Sequence, residues 1–206
     1  MDFSEQYRER MVEEQIAARG ISDGRILRAF KQVPRHLFVP EVDTATAYSD
    51  SPLSIGSGQT ISQPFIVAKT CELASLQGIE KVLEIGTGSG YAAAILSMLA
   101  GDVYTIERLE NLYKRSKKLL QENGYEAITC IYGNGYDGYE EGAPFDAILL
   151  SAAPKEVPNE LLRQLKIGGV MVGPIGTGEQ YLVRIVRTET GYEQSTHGAV
   201  RFVPMR

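Results

Sequence analysis

The 206-residue chain has only two histidines, His36 and His197, and two cysteines, Cys71 and Cys130. With so few imidazoles and thiols, a zinc site or a Ser-His-Asp triad lacks its parts. Neither cysteine has a CxxC partner and each sits in an apolar segment, so both are expected as buried free thiols. No run approaches the ~18 consecutive apolar residues of a membrane-spanning helix. The opening residues, MDFSEQYRER, lack the apolar stretch of a signal peptide. Positive charge is not in excess either: 21 Lys and Arg against 26 Asp and Glu leave a net charge of −5. No global field therefore draws nucleic acid. What remains is an ordinary globular composition, 43% hydrophobic and 23% charged, with no internal repeat. The expectation is a cytoplasmic protein of one domain, residues 1–206, with neither metal, membrane nor nucleic acid as partner and a monomer favoured.

Residues 4–19 are spaced as an amphipathic helix stopped by Gly20, and Ser22 or Asp23 can cap a second helix through Phe30. The segment VPRHLFVP is bracketed by Pro34 and Pro40, which prevent a long helix. Residues 41–63, rich in Ser, Gly, Asp and Pro, read as a loop, and so long a loop in a compact domain points to function. From Pro64 strands and helices alternate. Helix 64–77 precedes strand 81–85, helix 89–100 precedes strand 102–106, and helix 108–123 precedes strand 127–132. Strand 145–150, helix 158–166 and strand 169–174 follow. The strands KVLEI, DVYTI and FDAILL are mostly continuous apolar runs, as parallel strands covered on both faces require. The pattern predicts a doubly wound, mostly parallel α/β sheet with an N-terminal helical extension. QYLVRIVRT and GAVRFVPM, with no helix between them, are expected to close it as an antiparallel strand pair. On this reading 1–63 holds the helices and a substrate-side loop, and 64–206 the cofactor-binding core.

The stretch VLEIGTGSGY carries the first functional signal. Gly86, Thr87, Gly88, Ser89 and Gly90 follow a strand and open a helix, the context in which a glycine loop binds a nucleotide-like ligand. The spacing is neither G-x-G-x-x-G nor a P-loop ending in G-K-[ST]. Glu84 lies two residues before Gly86, and a carboxylate there repels a pyrophosphate. S-adenosyl-L-methionine has no phosphate and carries an ammonium and a sulfonium, which an acid attracts. Glu107 ends the next strand, where a carboxylate can accept the ribose hydroxyls. As residues alone, Glu84 can also serve as a strand-end acceptor of loop N–H groups and Glu107 as a helix N-terminal acid.

Five further segments carry a resemblance: GQTISQP, FDAILLSAAP, LKIGGVMVGPIG, RFVPM and VPRHLFVP, together with VLEIGTGSGY. Over nearly the whole chain the sequence resembles the protein-L-isoaspartate O-methyltransferases. The G-x-G-x-G loop is shared by many methyltransferases, whereas GQTISQP with RFVP is much more specific. The resemblance implies methyl transfer from S-adenosylmethionine to the α-carboxylate of L-isoaspartyl residues in damaged proteins and peptides, which would be the partners. The ester then closes to a succinimide that hydrolyses partly to normal aspartate, a repair. It implies an active-site role for Ser62, and cofactor contacts for Thr60, Ile61, Glu84, Gly86, Thr87, Gly88, Gly90, Glu107, Asn134 and Gly135. Family members usually have Asp where this chain has Asn134, whose side chain is implied at the adenine amino group. Ser62 can alternatively cap the helix at Pro64. SAAP at 151–154 is either room for a peptide or a plain turn, and Arg201 either attracts the substrate carboxylate or faces water.

Other readings are open. A methyltransferase with another acceptor is one, although SAAP stands where adenine-N6 enzymes carry N/D-P-P-Y/F, and neither cysteine follows a proline as in cytosine-C5 enzymes. A non-catalytic cofactor-binding protein is another. A nicotinamide oxidoreductase is disfavoured by the glycine spacing and Glu84.

Overall fold

The structure, a computed structural model, describes residues 3–206. Seven strands form the central sheet in the order β5-β4-β3-β6-β7-β8-β9. They are β3 (Lys81–Ile85), β4 (Asp102–Glu107), β5 (Thr129–Tyr132), β6 (Phe145–Leu150), β7 (Leu165–Ile175), β8 (Gln180–Arg187) and β9 (Tyr192–Val200). Strand β3 pairs in parallel with β4 on one side and β6 on the other, and β8 and β9 run antiparallel. Along β3, Val82 packs into the core on one face while Leu83 and Ile85 pack into the core on the other. That is why its sequence shows an unbroken apolar run rather than alternation. Helices α4 (Pro64–Ala74), α5 (Tyr91–Ser97) and α6 (Glu110–Glu122) cover the first face, and α7 (Asn159–Arg163) the second. Among the described residues no helix is long and apolar enough to cross a membrane.

The N-terminal helical extension is α1 (Ser4–Arg10), α2 (Gly24–Gln32) and α3 (Thr44–Ala47). The single helix expected over 4–19 is broken into α1, a π-helical segment Met11–Ile16 and a 3-10 turn Ala17–Arg19. The π spacing brings Met11 and Ile16 onto one buried face, and Gly20, at φ +100, ends the run. Of the two candidate caps, Asp23 is the one used: its side chain accepts the Arg25 N–H at 2.7 Å.

Several boundaries correct the sequence reading. Residues 41–63 are not a plain loop: they contain α3 and a hairpin of β1 (Leu53–Gly56) and β2 (Gln59–Ile61). Strands of four and three residues, LSIG and QTI, are too short to leave a periodic signal. Helix α4 stops at Ala74 because Ser75 takes a left-handed conformation, and α5 starts at Tyr91 because Gly90 does. Helix α7 is short because the chain turns back into β7 at Leu165, which pairs with Phe145. The last strand is Tyr192–Val200, not GAVRFVPM. Its side chains are exposed along an edge, so its polar sequence concealed it. RFVPM leaves the sheet and straps across the strand ends, where Ala153 N–H donates to Val203 O at 2.9 Å and Met205 N–H to Ala153 O at 2.7 Å.

Arg35 fastens the extension to the sheet layer. It is fully buried, its Nε donates to Ala47 O at 2.8 Å, and its guanidinium lies 5.0 Å from the Tyr91 ring centroid. Tyr91 is the first residue of α5, directly after the glycine loop. Arg35→Ala removes a hydrogen bond, a cation–π contact and core volume. It is expected to lower the unfolding free energy by ~2–4 kcal/mol in urea melts. Arg35→Met, which keeps most of the volume, should recover part of the loss; an unchanged midpoint for Arg35→Ala would show that the clamp contributes nothing.

Candidate functional site

The glycine loop lies at the carboxyl end of β3, where the sheet's chain order reverses between β4 and β6. Open parallel sheets bind ligands at that position. Gly86, Gly88 and Gly90 all have positive φ, which is why the loop is built of glycine. Its N–H groups are largely consumed within the protein. Gly86 and Thr87 N–H donate to Ile106 O at 2.9 and 3.0 Å, Gly90 N–H to Thr87 O at 2.8 Å, and Gly88 N–H to Glu107 Oε2 at 2.9 Å. A loop with its donors so occupied makes a poor phosphate cradle.

Glu107 is buried at the end of β4. Its Oε1 also accepts the Leu109 N–H, at the head of α6, at 2.8 Å. The helix-terminus reading of this acid and the ligand reading coexist, since each carboxylate oxygen has a second lone pair and Glu107 lines the cleft. Glu84 is 1% exposed, yet it too borders the cleft. Its Oε2 accepts Thr105 Oγ1 at 2.7 Å and its Oε1 accepts Ser151 Oγ at 3.0 Å; Thr105 in turn meets Thr87 Oγ1 at 2.6 Å. Burial, with the nearby Glu107 adding to it, pushes the Glu84 carboxyl up to about 7 against the two hydroxyl bonds.

On the other wall, Thr60 and Ile61 belong to β2, and Ser62 sits between that strand and α4. All three border the cleft beside Glu84 and the glycine loop. Gln63 is the N-cap of α4 and makes no side-chain cap, so Ser62 does not cap that helix. The Ser62 hydroxyl has no hydrogen-bond partner among the described residues, which leaves it available to a ligand. The cleft continues outward past Ser62 and Ser151 to Arg19, Arg201 and Phe202, in a cavity of ≈ 450 Å³.

Gly135 lies at the opposite end, with Met205 and Ile85. A Cβ there would collide with the Ile85 side chain and press on Met205, so only glycine leaves the space open. Asn134 is placed differently. It is exposed, does not line the cleft, and its Oδ1 accepts Tyr136 N–H at 3.2 Å, capping a short 3-10 turn. The structure thus gathers Thr60, Ile61, Ser62, Glu84, Gly86, Thr87, Gly88 and Glu107 around one cleft, with Gly135 at its end. Gly90 faces Leu120 beneath the loop instead. Sequence reasoning missed Thr105 and left Ser151 undecided. The signal for the first was a small aliphatic hydroxyl in the strand DVYTIE, level with Glu84 in the pairing of β3 and β4.

The family model described as protein-L-isoaspartate(D-aspartate) O-methyltransferase (PCMT) matches residues 5–206. The protein-L-isoaspartate O-methyltransferase of Picosynechococcus sp. is 50% identical over 199 residues, covering 97% of this chain and 90% of that protein. Protein-L-isoaspartate O-methyltransferase 2 of Shewanella sediminis is 51% identical over 207 residues, covering 98% and 85%. A solved protein-L-isoaspartate O-methyltransferase superposes with a TM-score of 0.89 at 29% identity, over 96% of this chain and 65% of that one. A Plasmodium falciparum structure described as a beta-aspartate methyltransferase (PCMT) in complex with S-adenosyl-L-homocysteine gives 0.81 at 25% identity, over 97% and 98%.

The buried acid sets a pH dependence. Glu84 titrates at about 7 when folded against an ordinary 4.5. Between these values the folded chain holds the extra proton, so stability falls as pH rises from about 4.5 to about 7 and levels off above. Glu84→Gln removes that titration. Its unfolding free energy, measured in urea at pH 5 and pH 8, should drop less than the parent's by ~1–3 kcal/mol. Parallel pH profiles would mean that Glu84 ionises in the folded chain as freely as in water.

Proposed function

This chain belongs to the protein-L-isoaspartate O-methyltransferase family, and on that premise we propose that it transfers a methyl group from S-adenosyl-L-methionine to the α-carboxylate of L-isoaspartyl residues. The observation that carries the reading is one cleft holding a phosphate-averse glycine loop, two buried acids and an unpartnered serine hydroxyl. The residues fit the cofactor's chemistry. Glu107 retains lone pairs for two ribose hydroxyls, Gly135 leaves room for a flat ring, and Glu84 favours the cationic end. Thr60, Ile61, Gly86, Thr87 and Gly88 form the surrounding wall, and Asn134 contributes through the turn that places Gly135. The cofactor supplies an electrophilic methyl carbon on a sulfonium.

The protein's own part is alignment. An isoaspartyl carboxylate is already ionised near pH 7, so no general base is needed. Ser62 donates its proton to one carboxylate oxygen and leaves the other to attack. Orientation in a site that excludes water gives effective molarities worth several kcal/mol. Arg19 and Arg201 at the outer mouth bring positive charge to an anionic acceptor. Isoaspartyl proteins and peptides are the partners in this reading, and the chain works as a cytoplasmic, monomeric, single-domain enzyme.

Labelled methyl transfer to an isoaspartyl peptide and not to its aspartyl twin is the expected result; cofactor binding without transfer would favour a non-catalytic role. Ser62→Ala should lower kcat ~10-fold or more while cofactor affinity stays near the parent value. Glu107→Gln should do the reverse and weaken cofactor binding by ~1.5–3 kcal/mol in calorimetry. Full turnover in the first variant, or unchanged affinity in the second, removes that residue from its role.

A further inference from the structure

Ser62 and Ser151 border the same parts of the cleft, but their hydroxyls differ in what they can offer. Ser62 has its proton free. Ser151 is pinned at the end of β6 by its N–H to Ile85 O at 2.9 Å, and its Oγ donates to Glu84 Oε1 at 3.0 Å. A hydroxyl carries one proton. With Glu84 ionised that proton is committed to it, and Ser151 turns only lone pairs toward the cleft. The commitment is reinforced from behind. Thr105 donates to the other oxygen of Glu84, so the bond between Thr87 and Thr105 has to be donated by Thr87. Three hydroxyl protons are therefore directed toward one buried carboxylate, and Ser151 ends the chain on the acceptor side.

The two aspartyl isomers differ in a way that such a pair can read. In an isoaspartyl residue the free carboxylate is on the α-carbon, which also bears the peptide N–H. In a normal aspartyl residue it is on a methylene, and the N–H is one carbon further away. A donor hydroxyl beside an acceptor hydroxyl matches the first arrangement, carboxylate to donor and N–H to acceptor. We propose that Ser151 accepts the N–H of the isoaspartyl residue and is a specificity-determining residue that separates it from aspartyl. This rests on the methyl-transfer reading and on Ser62 as carboxylate donor. A site that expects a hydrogen-bonding group disfavours analogues lacking it, because its own polar atom is left unpaired.

The test compares the parent and Ser151→Ala on two substrates: an isoaspartyl peptide, and the depsipeptide in which an ester oxygen replaces that N–H with little change of shape. In the parent, kcat/KM is expected to fall ~3–10-fold from peptide to depsipeptide. Ser151→Ala should be lowered on the peptide by a similar factor and show no further loss on the depsipeptide. A merely structural role for Ser151 would lower both substrates and preserve the difference between them. Equal parent activity on the two substrates, or an equal depsipeptide penalty in both proteins, overturns the assignment. Ser151→Cys, a much weaker acceptor, carries the same expectation of a reduced penalty should the alanine variant not fold. No turnover by the parent on the isoaspartyl peptide would overturn the methyl-transfer reading itself, a failure visible before any substitution is made.

Discussion

Strand β3 is paired in parallel on both sides, with β4 and with β6, and the crossovers leaving β3 and β6 run in opposite directions. At its carboxyl end no connection can cover the sheet, and a crevice opens there. The other features of the site depend on this. The carboxyl ends of β3, β4 and β6 and the loops that leave them supply the glycines, Glu107 and Ser151 in turn. The sheet register sets Glu84 opposite Thr105 and Leu149, so the hydroxyl that satisfies the acid comes from the neighbouring strand. The hairpin ending at Ser62 and the C-terminal strap 201–206 close the crevice from two sides.

A carboxylate buried at that position opposes folding. Burial alone favours its protonated form, and two hydroxyl donors offset only part of the cost. Removing Glu84 altogether would be the simple way to a more stable core, so its presence points to work at the site. A cation bound beside it would hold it ionised, and the ionised form would fix the direction of the surrounding hydroxyls. Local stability is thereby exchanged for a pre-organised polar wall, as functional sites often show.

The sequence displayed most clearly the elements whose signal is apolar. Strands β3, β4 and β6 were legible as continuous runs because both faces are covered, and the glycine loop because only glycine populates its backbone. The two acids were legible by position, at the ends of their strands. Other parts were hidden for opposite reasons. The β1–β2 hairpin is too short and polar for any periodicity, and β9 lies on an exposed edge where nothing demands alternation. RFVPM resembles a strand by composition, yet its pairing is with Ala153 across the sheet ends. Asn134 was expected at the ligand through resemblance. Its oxygen accepts the N–H of its own turn, and that local bond is one no spacing rule distinguishes from a ligand contact. Thr105 gains its meaning only from the strand register.

The scarcity of chemically versatile side chains then has a physical reading. A displacement between an anion and a cationic methyl donor has its charges in place before it starts, so proton transfer is not what limits it. The protein has to bring the groups together dry and in line, and to refuse a substrate with its carboxylate one carbon out of position. Backbone turns, small hydroxyls and two fixed acids are enough for that. They are worth most in a place where they cannot reorganise, and the doubly flanked strand β3 provides such a place. Glu84, once ionised, holds charge and directs hydroxyls, and the transfer itself requires no proton to move.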